Sequence, residues 1–264
     1  MIIQSVQRAL NILSLFTPSR PRWGITEIAS ELGLAKGTIH NIVQTLVSGG
    51  FLKQDRETRR YSLGYRVFTL GVIMAGTLEI NQKAAGLAHQ LAHRTGLVSR
   101  VAVWDHDAAL VTLNAWPDYA DSLSKQIGPR VVAFCSAIGR ALLAYLSESE
   151  IAAYLDNVER VRFTAHTVTG KKELLKILDL TRHKGYAINN QELGPGQCSI
   201  ASAIFQSGGS LAAAISLSGS SEQITGPDKP RLVSDLRNTA AEISRYMGFY
   251  PAAPEHNLMR RAAP

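Results

Sequence analysis

Residues 25–60, ITEIASELGLAKGTIHNIVQTLVSGGFLKQDRETRR, carry the side chains best suited to reading a polyanion. On a 3.6-residue period Ile39, Ile42, Val43 and Leu46 share one arc, while Lys36, His40, Asn41, Gln44 and Ser48 fall on the other side. That outward face offers a cation, an imidazole and two amides, the groups that contact phosphates and base edges. Gly37 lies near the start of the same helix, where a missing Cβ lets a backbone or a phosphate come close. Lys36, Gly37, Thr38, His40, Asn41 and Gln44 are therefore assigned to the major groove of DNA. Arg59 and Arg60 follow a charged tip, DRETR, which suits a wing touching phosphate or the minor groove.

Other groupings are weaker. His89 and His93 are four apart and could clamp a metal on one helix face, but no third ligand stands near them and a solvated face accounts for them. Ser136, Asp156 and His166 are hydrolase residue types, yet the chain has no GxSxG elbow, so an enzyme is not expected. Cys135 and Cys198, the two cysteines, form neither a CxxC nor a Cys/His spacing and read as small apolar core residues. A redox switch would need an exposed, low-pKa thiolate, and for Cys135 only Arg130 and Arg140 lie nearby in sequence. No metal and no cofactor are expected.

These side chains need elements to position them. Residues 5–16 read as a helix with Val6, Ala9, Leu10, Leu13 and Phe16 on one stripe, ended by Pro18 and Pro21. Thr26 is the expected N-cap of a short helix with Ile28, Ala29 and Leu32 inward, and Gly33 permits the left-handed turn after it. The reading helix runs over 36–48, stopped by Gly49 and Gly50, and strands at 51–54 and 60–63 flank the tip. Together these make a winged helix-turn-helix. Leu63, Val67, Leu70, Met74 and Leu78 recur at three or four, predicting a long linking helix. Its stripe is read as a contact between two copies, with packing onto the chain's own second domain as the alternative.

From Asn81 on, helices alternate with β-rich runs. Helices are expected over 81–94, 136–146, from the capping box Ser147–Glu150, from a Thr169 cap to Gly185, and over 230–247. Strands are expected over 97–104, 109–116, 186–191, 199–205 and 211–218. The expected fold class is α+β: a winged helix-turn-helix over 1–63, a linker and dimerisation helix over 64–82, a sensor-type domain over 83–250, and a disordered tail over 251–264.

The 264-residue chain has a formal net charge of +7 and a pI near 9.5. Residues 1–62 hold eight basic side chains against four acidic ones, so over half of the excess sits in under a quarter of the chain. The first residues form no signal peptide, and no run of about 18 apolar residues predicts a membrane span. A cytoplasmic location is expected.

In the order and spacing of its blocks the chain resembles the IclR family of bacterial transcription regulators. The blocks are QSVQRALNILSLF, ITEIASELGLAKGTIHNIVQTLVSGGF and RRYSLGYRVFTLG in the first part. In the second they are SAIGRALLAYL, GYAINNQELGPGQCSIASAIF and LAAAISLSGS. The resemblance covers nearly the whole chain. It implies a winged helix, a linker helix and a GAF-like effector-binding domain, assembly into homodimers or dimers of dimers, binding to double-stranded operator DNA, and a response to small, often carboxylic, metabolites.

Two departures bear on specificity. Family members often have Arg after the recognition-helix His, where this chain has Asn41, a residue able to pair bidentately with adenine. Where the family commonly has Cys before its last ligand-lining strand, this chain has Ser199, as in the protocatechuate and 4-hydroxybenzoate regulators. The family's carboxylate-lining Asp corresponds to Asn189.

A carboxylate needs donors and no competing negative charge. The resemblance makes the amides of Ala137 and Ile138 the pair that grips it. Ser199, Ser216 and Ser218 can add hydroxyls, and Asn189 and Gln197 amide hydrogens. Ser216 and Ser218, two apart on a strand, share one face. The resulting expectation is a regulator sensing a small organic acid, with aromatic acids among the candidates. A redox-responsive regulator or a protein-interaction adaptor without such a ligand is the alternative.

Overall fold

A computed structural model describes residues 2–117 and 129–250. The chain divides into two compact units, one reaching Thr77 and the other starting at Leu78.

The first unit contains α1 (Gln4–Ser14), α2 (Ile25–Leu32), α3 (Lys36–Ser48), β1 (Leu52–Gln54), β2 (Tyr61–Leu63) and α4 (Tyr65–Thr77). Its core joins Ile12, Trp23, Ile28, Ile39, Val43, Leu52 and Tyr61. The arc expected of α3 is thus the buried one, because Ile39 and Val43 are its two buried residues. Gly33 closes α2 at φ 63°, the left-handed conformation a side chain would resist. The wing pairs Leu52 with Leu63 and Gln54 with Tyr61, and Tyr61 also bridges to Trp23.

Three local expectations need correction. The N-cap of α2 is Gly24, not Thr26: the Glu27 carboxylate accepts the Gly24 N–H at 2.7 Å, so the third helical residue supplies the cap. In α1 the only buried residue is Ile12, off the expected stripe, while Val6 and Leu10 are each 52% exposed. The apolar recurrence over 63–78 does not mark one continuous helix. α4 stops at Thr77, Leu78 is extended, and a new helix begins at Glu79. α4 buries none of its residues.

The second unit contains α5 (Glu79–Thr95), β3 (Val98–Asp105), β4 (Ala108–Ala115), β5 (Arg130–Val132), α6 (Ala137–Leu143), α7 (Glu148–Asn157) and α8 (Lys171–Lys184). After these come β6 (Ala187–Asn190), β7 (Gln197–Phe205), β8 (Leu211–Ser220), α9 (Ser221–Thr225) and α10 (Lys229–Tyr246). The strands form one antiparallel sheet in the order β5-β4-β3-β8-β7-β6. The fold class is α+β. Ser147 and Glu150 make the expected capping box of α7, whereas α8 follows Gly170 and not Thr169. The expected disordered tail, 251–264, lies outside the described residues.

Alternation along the strands divides the sheet into two unlike faces. One presents Val101, Ile200, Ile204, Ile215 and Leu217 to Leu91 of α5 and to Leu236 and Ile243 of α10. The other presents Ala102, Ala109, Ala187, Ala201 and Ala214 to α6. Small residues let α6 lie close to the strands. The turn that feeds α6 is equally tight, since a Cβ on Gly139 would lie 2.3 Å from the Ala133 Cα. Along this same face the alanines give way to Ser, Asn and Arg, and there the unit holds a cavity.

Candidate functional site

On α3, Lys36, Gly37, His40, Asn41 and Gln44 are exposed, and Thr38 is half-buried. Among the described residues, nothing beyond its own neighbours and helix backbone lies within 4 Å of where a Gly37 Cβ would be, so packing does not require glycine there. Gln44 donates from Nε2 to the Tyr61 hydroxyl at 3.3 Å, which ties its amide to the wing strand. Asp55 shapes the wing tip by accepting the Thr58 N–H at 2.8 Å and the Glu57 N–H at 3.1 Å. The Thr58 N–H, its hydroxyl and other nearby donors hold that carboxylate below its usual range. Arg59 is exposed at φ 57°, a left-handed conformation uncommon for a non-glycine residue.

Arg60 has an assignment inside the fold. Its Nη2 donates to both Glu27 oxygens, at 2.7 and 3.0 Å, and to the Arg22 carbonyl at 3.3 Å. One guanidinium therefore joins the wing to the first turn of α2. The Gly24 N–H first, and Arg60 second, hold the Glu27 carboxyl below the usual range. Arg60, Arg59 and His40 line one cleft of this unit.

The second unit holds a cavity of about 590 Å³. Strand register explains its wall. Asn189 pairs with Ser199, Ser199 with Ser218, and Ser218 with Val98, giving one row across four strands. Two residues further along, Ala187, Ala201, Ser216, Arg100 and Asn114 form the next row. Ile138, Asn189, Gln197, Ser199, Ser216 and Ser218 all line the cavity. Ala137 does not: its side chain is fully buried against the sheet, and only its backbone N–H, in the first turn of α6, remains without an intrahelical acceptor.

Asn189 is oriented from behind. The backbone N–H of Glu192 can only donate, and it lies 2.9 Å from the Asn189 Oδ1. The amide oxygen is thereby occupied, leaving Nδ2 as donor. Glu192 is itself anchored by a buried ion pair, accepting from Arg140 Nη1 at 2.5 Å and Nη2 at 2.7 Å. The Val168 N–H donates to it at 3.1 Å, and Arg140 donates further to the Phe134 and Ile188 carbonyls.

Sequence reasoning missed two features here. One is the Arg140–Glu192 pair behind the wall. The other is Arg100, which lines the cavity and is 6% exposed. Its Nε donates to Asn114 Oδ1 at 3.1 Å, and its guanidinium carbon lies 5.7 Å from the Trp116 ring centre. Among the described residues its Nη1 has no hydrogen-bond partner. Burial lowers its pKa from the ordinary arginine value. The available signal was a single cation within the apolar strand VSRVAVW.

The rival groupings find other roles. Ser136 caps α6 by accepting the Gly139 N–H, and Asp156 pairs with Lys171. Cys135 is fully buried and its thiol is pushed up to about 12 by burial, which opposes thiolate chemistry. Among the described residues no group of three His, Cys, Asp or Glu could hold a metal, and no helix is long and apolar enough to cross a membrane.

Comparison with known proteins bears on both units. Residues 5–56 match the IclR helix-turn-helix domain, and residues 73–245 match the C-terminal domain of the bacterial transcriptional regulator IclR. The transcriptional regulator XynR of Escherichia coli is 32% identical over 95% of this chain and 99% of its own length. The glycerol operon regulatory protein of Streptomyces coelicolor is 32% identical over 93% of this chain and 97% of its own length. Among solved structures, an IclR transcriptional regulator from Alicyclobacillus acidocaldarius is 28% identical with a TM-score of 0.81, covering 94% of this chain and 100% of that one. An IclR homolog from Microbacterium hydrocarbonoxydans, solved with 4-hydroxybenzoate, has a TM-score of 0.78 at 22% identity, covering 92% of this chain and 99% of that one. With a helix-turn-helix match in one unit and an effector-domain match over most of the other, this chain belongs to the IclR family of DNA-binding bacterial transcriptional regulators.

Proposed function

We propose that the effector is a small organic acid, that it sits in the cavity beside α6, and that its binding sets the affinity for operator DNA. The observation that carries this reading is the row Asn189–Ser199–Ser218, with Ser216 beside it, in a cavity with no Asp or Glu among its described lining residues. Asn189, oriented by Glu192, offers amide hydrogens, and the serines offer hydroxyls. Gln197 and the first amides of α6, at Ala137 and Ile138, add donors at the same wall. A carboxylate meets donors here without a competing negative charge. Ile138, Val111, Val131 and Leu193 supply an apolar wall for its carbon skeleton.

On the DNA side, Lys36, Thr38, His40, Asn41 and Gln44 enter the major groove, with Gly37 allowing close approach and Arg59 and Arg60 at phosphate or minor groove. Arg60 does this while bound to Glu27. Residues 1–63 act as reader, 64–82 as linker and dimer contact, and 83–250 as effector domain. Two copies, or a dimer of dimers, bind half-sites about 34 Å apart or a multiple of it. Exposed Ile3, Val6 and Leu10 near the start, and Tyr65, Phe68, Val72 and Ile73 on α4, support self-association.

The test is a thermal-shift screen with aliphatic and benzoate-type acids, 4-hydroxybenzoate included, followed by operator titration with and without each hit on a site selected from random DNA. An acid at about 100 times its dissociation constant should stabilise the protein by about 2.7 kcal/mol and change operator affinity. Stabilisation without any change on DNA, or no stabilisation by any acid, refutes the reading.

A further inference from the structure

We infer that the effector carries two anionic groups, and that Arg100 takes the second, so that the sensed molecule is a dicarboxylate. This rests on the acid-sensing reading above and adds to it a ligand class and a specificity residue.

Among the described residues Arg100 is a buried cation without a matching anion. Arg100 is 6% exposed, and its guanidinium presents five N–H donors in a planar fork. Nε is committed to Asn114, while Nη1 has no partner among the described residues. Trp116 lies near the guanidinium carbon, and no carboxylate among the described residues pairs with it. Buried cations normally occur with a counter-charge, because removal from water disfavours the charged form. Here the same residue lines the cavity, so a bound anion can supply that counter-charge.

The donor row at Asn189 and Ser199 lies on β6 and β7, whereas Arg100 lies on β3 and leans to Asn114 on β4. In the sheet order β4-β3-β8-β7-β6, Arg100 stands two strands from Ser199 and three from Asn189. At about 4.8 Å per strand the two donor groups are rooted roughly 10–14 Å apart. A carboxylate seated at Asn189 and Ser199, with Ser216 and Ser218 of β8 between it and Arg100, is not placed to serve both ends. A ligand with an acid group at each end and an apolar middle can serve both, with Val98, Val111 and Val131 among the apolar lining.

The experiment titrates the purified full-length protein with a series of straight-chain dicarboxylates and the benzenedicarboxylates, each against the matching monocarboxylate. Wild-type protein should bind its preferred diacid about tenfold to a hundredfold more tightly than the monoacid, the ratio expected of one charge-assisted contact. Arg100→Met should bind both at the monoacid's level, and Arg100→Lys should retain part of the preference. Monoacid binding as tight as diacid binding in the wild type, or a preference that survives in Arg100→Met, overturns the inference and leaves the acid-sensing reading in place. No binding by any acid overturns both. If Arg100→Met fails to fold, the wild-type ratio and Arg100→Lys still decide.

Discussion

Removing both partners of the Arg140–Glu192 pair should cost clearly less than the sum of removing each alone. The side chains are 2% and 7% exposed, and two N–H···O contacts join them. Glu192→Gln leaves the guanidinium charged, buried and uncompensated, a change that costs about 3–5 kcal/mol. The effector unit belongs to the size class in which 1 kcal/mol moves the midpoint by about 2–4 °C, so the expected drop is roughly 6–20 °C. Arg140→Met is comparably harmful, since it strands the carboxylate and leaves the Phe134 and Ile188 carbonyls without their donor. In Arg140→Met/Glu192→Met the charge penalty disappears, while the lost bonds to those carbonyls and to the Val168 N–H remain. The double variant should therefore stay destabilised, yet fall short of the sum of the two singles by about 2–3 kcal/mol. Urea unfolding followed by fluorescence reports it, because Trp104 packs edge-on against Tyr154 within the same unit. Singles that add to within about 0.5 kcal/mol would mean the two groups act independently, and the reasoning would fail.

Other consequences follow from the two units separately. Asn41→Ala should weaken binding to the selected operator by about 1–3 kcal/mol and barely change binding to random DNA; equal losses on both would exclude base reading by Asn41. Phe68→Glu with Ile73→Glu should lower the sedimentation-derived mass, as these side chains are 72% and 57% exposed on one helix; an unchanged mass removes α4 from the self-contact. Cys135, its thiol pushed up to about 12, should resist iodoacetamide at pH 8 until the protein is unfolded, and fast modification of the folded protein would revive a redox reading. Glu27 has a lowered folded-state pKa, so its contribution is present above the ordinary carboxylate pKa and is lost as pH falls through the lowered one. Glu27→Gln should therefore flatten the acid limb of the stability profile of the first unit, and an unaltered limb argues against the clamp.

What could be read without the structure was whatever depends on neighbours in the chain. The buried arc of α3, the left-handed Gly33, the wing strands and the Ser147–Glu150 box are all local periodicity or local capping. The break at Leu78 was hidden for the same reason. Apolar spacing continues through it, and the nearest helix breaker, Gly76, lies within α4 and not at the break. Side-chain partners far apart in sequence were beyond reach. Arg60 meets Glu27 across 33 residues and Arg140 meets Glu192 across 52, so neither cation announces that its charge is already committed.

Arg100 shows the converse most clearly. In VSRVAVW it reads as one strand cation that alternation could have placed on a solvent-facing side. The register instead puts it in the row of Ser216 and Ala201, on the face that α6 covers. It is only 6% exposed there, and the described residues bring no acid to it. The serines and Asn189 suit any carboxylate, and by themselves they do not select among acids. On the dicarboxylate reading Arg100 does select, because a second negative group neutralises it while the first is held by the other donors. On that reading, specificity in this cavity turns on Arg100, the cation for which the described residues bring no counter-ion.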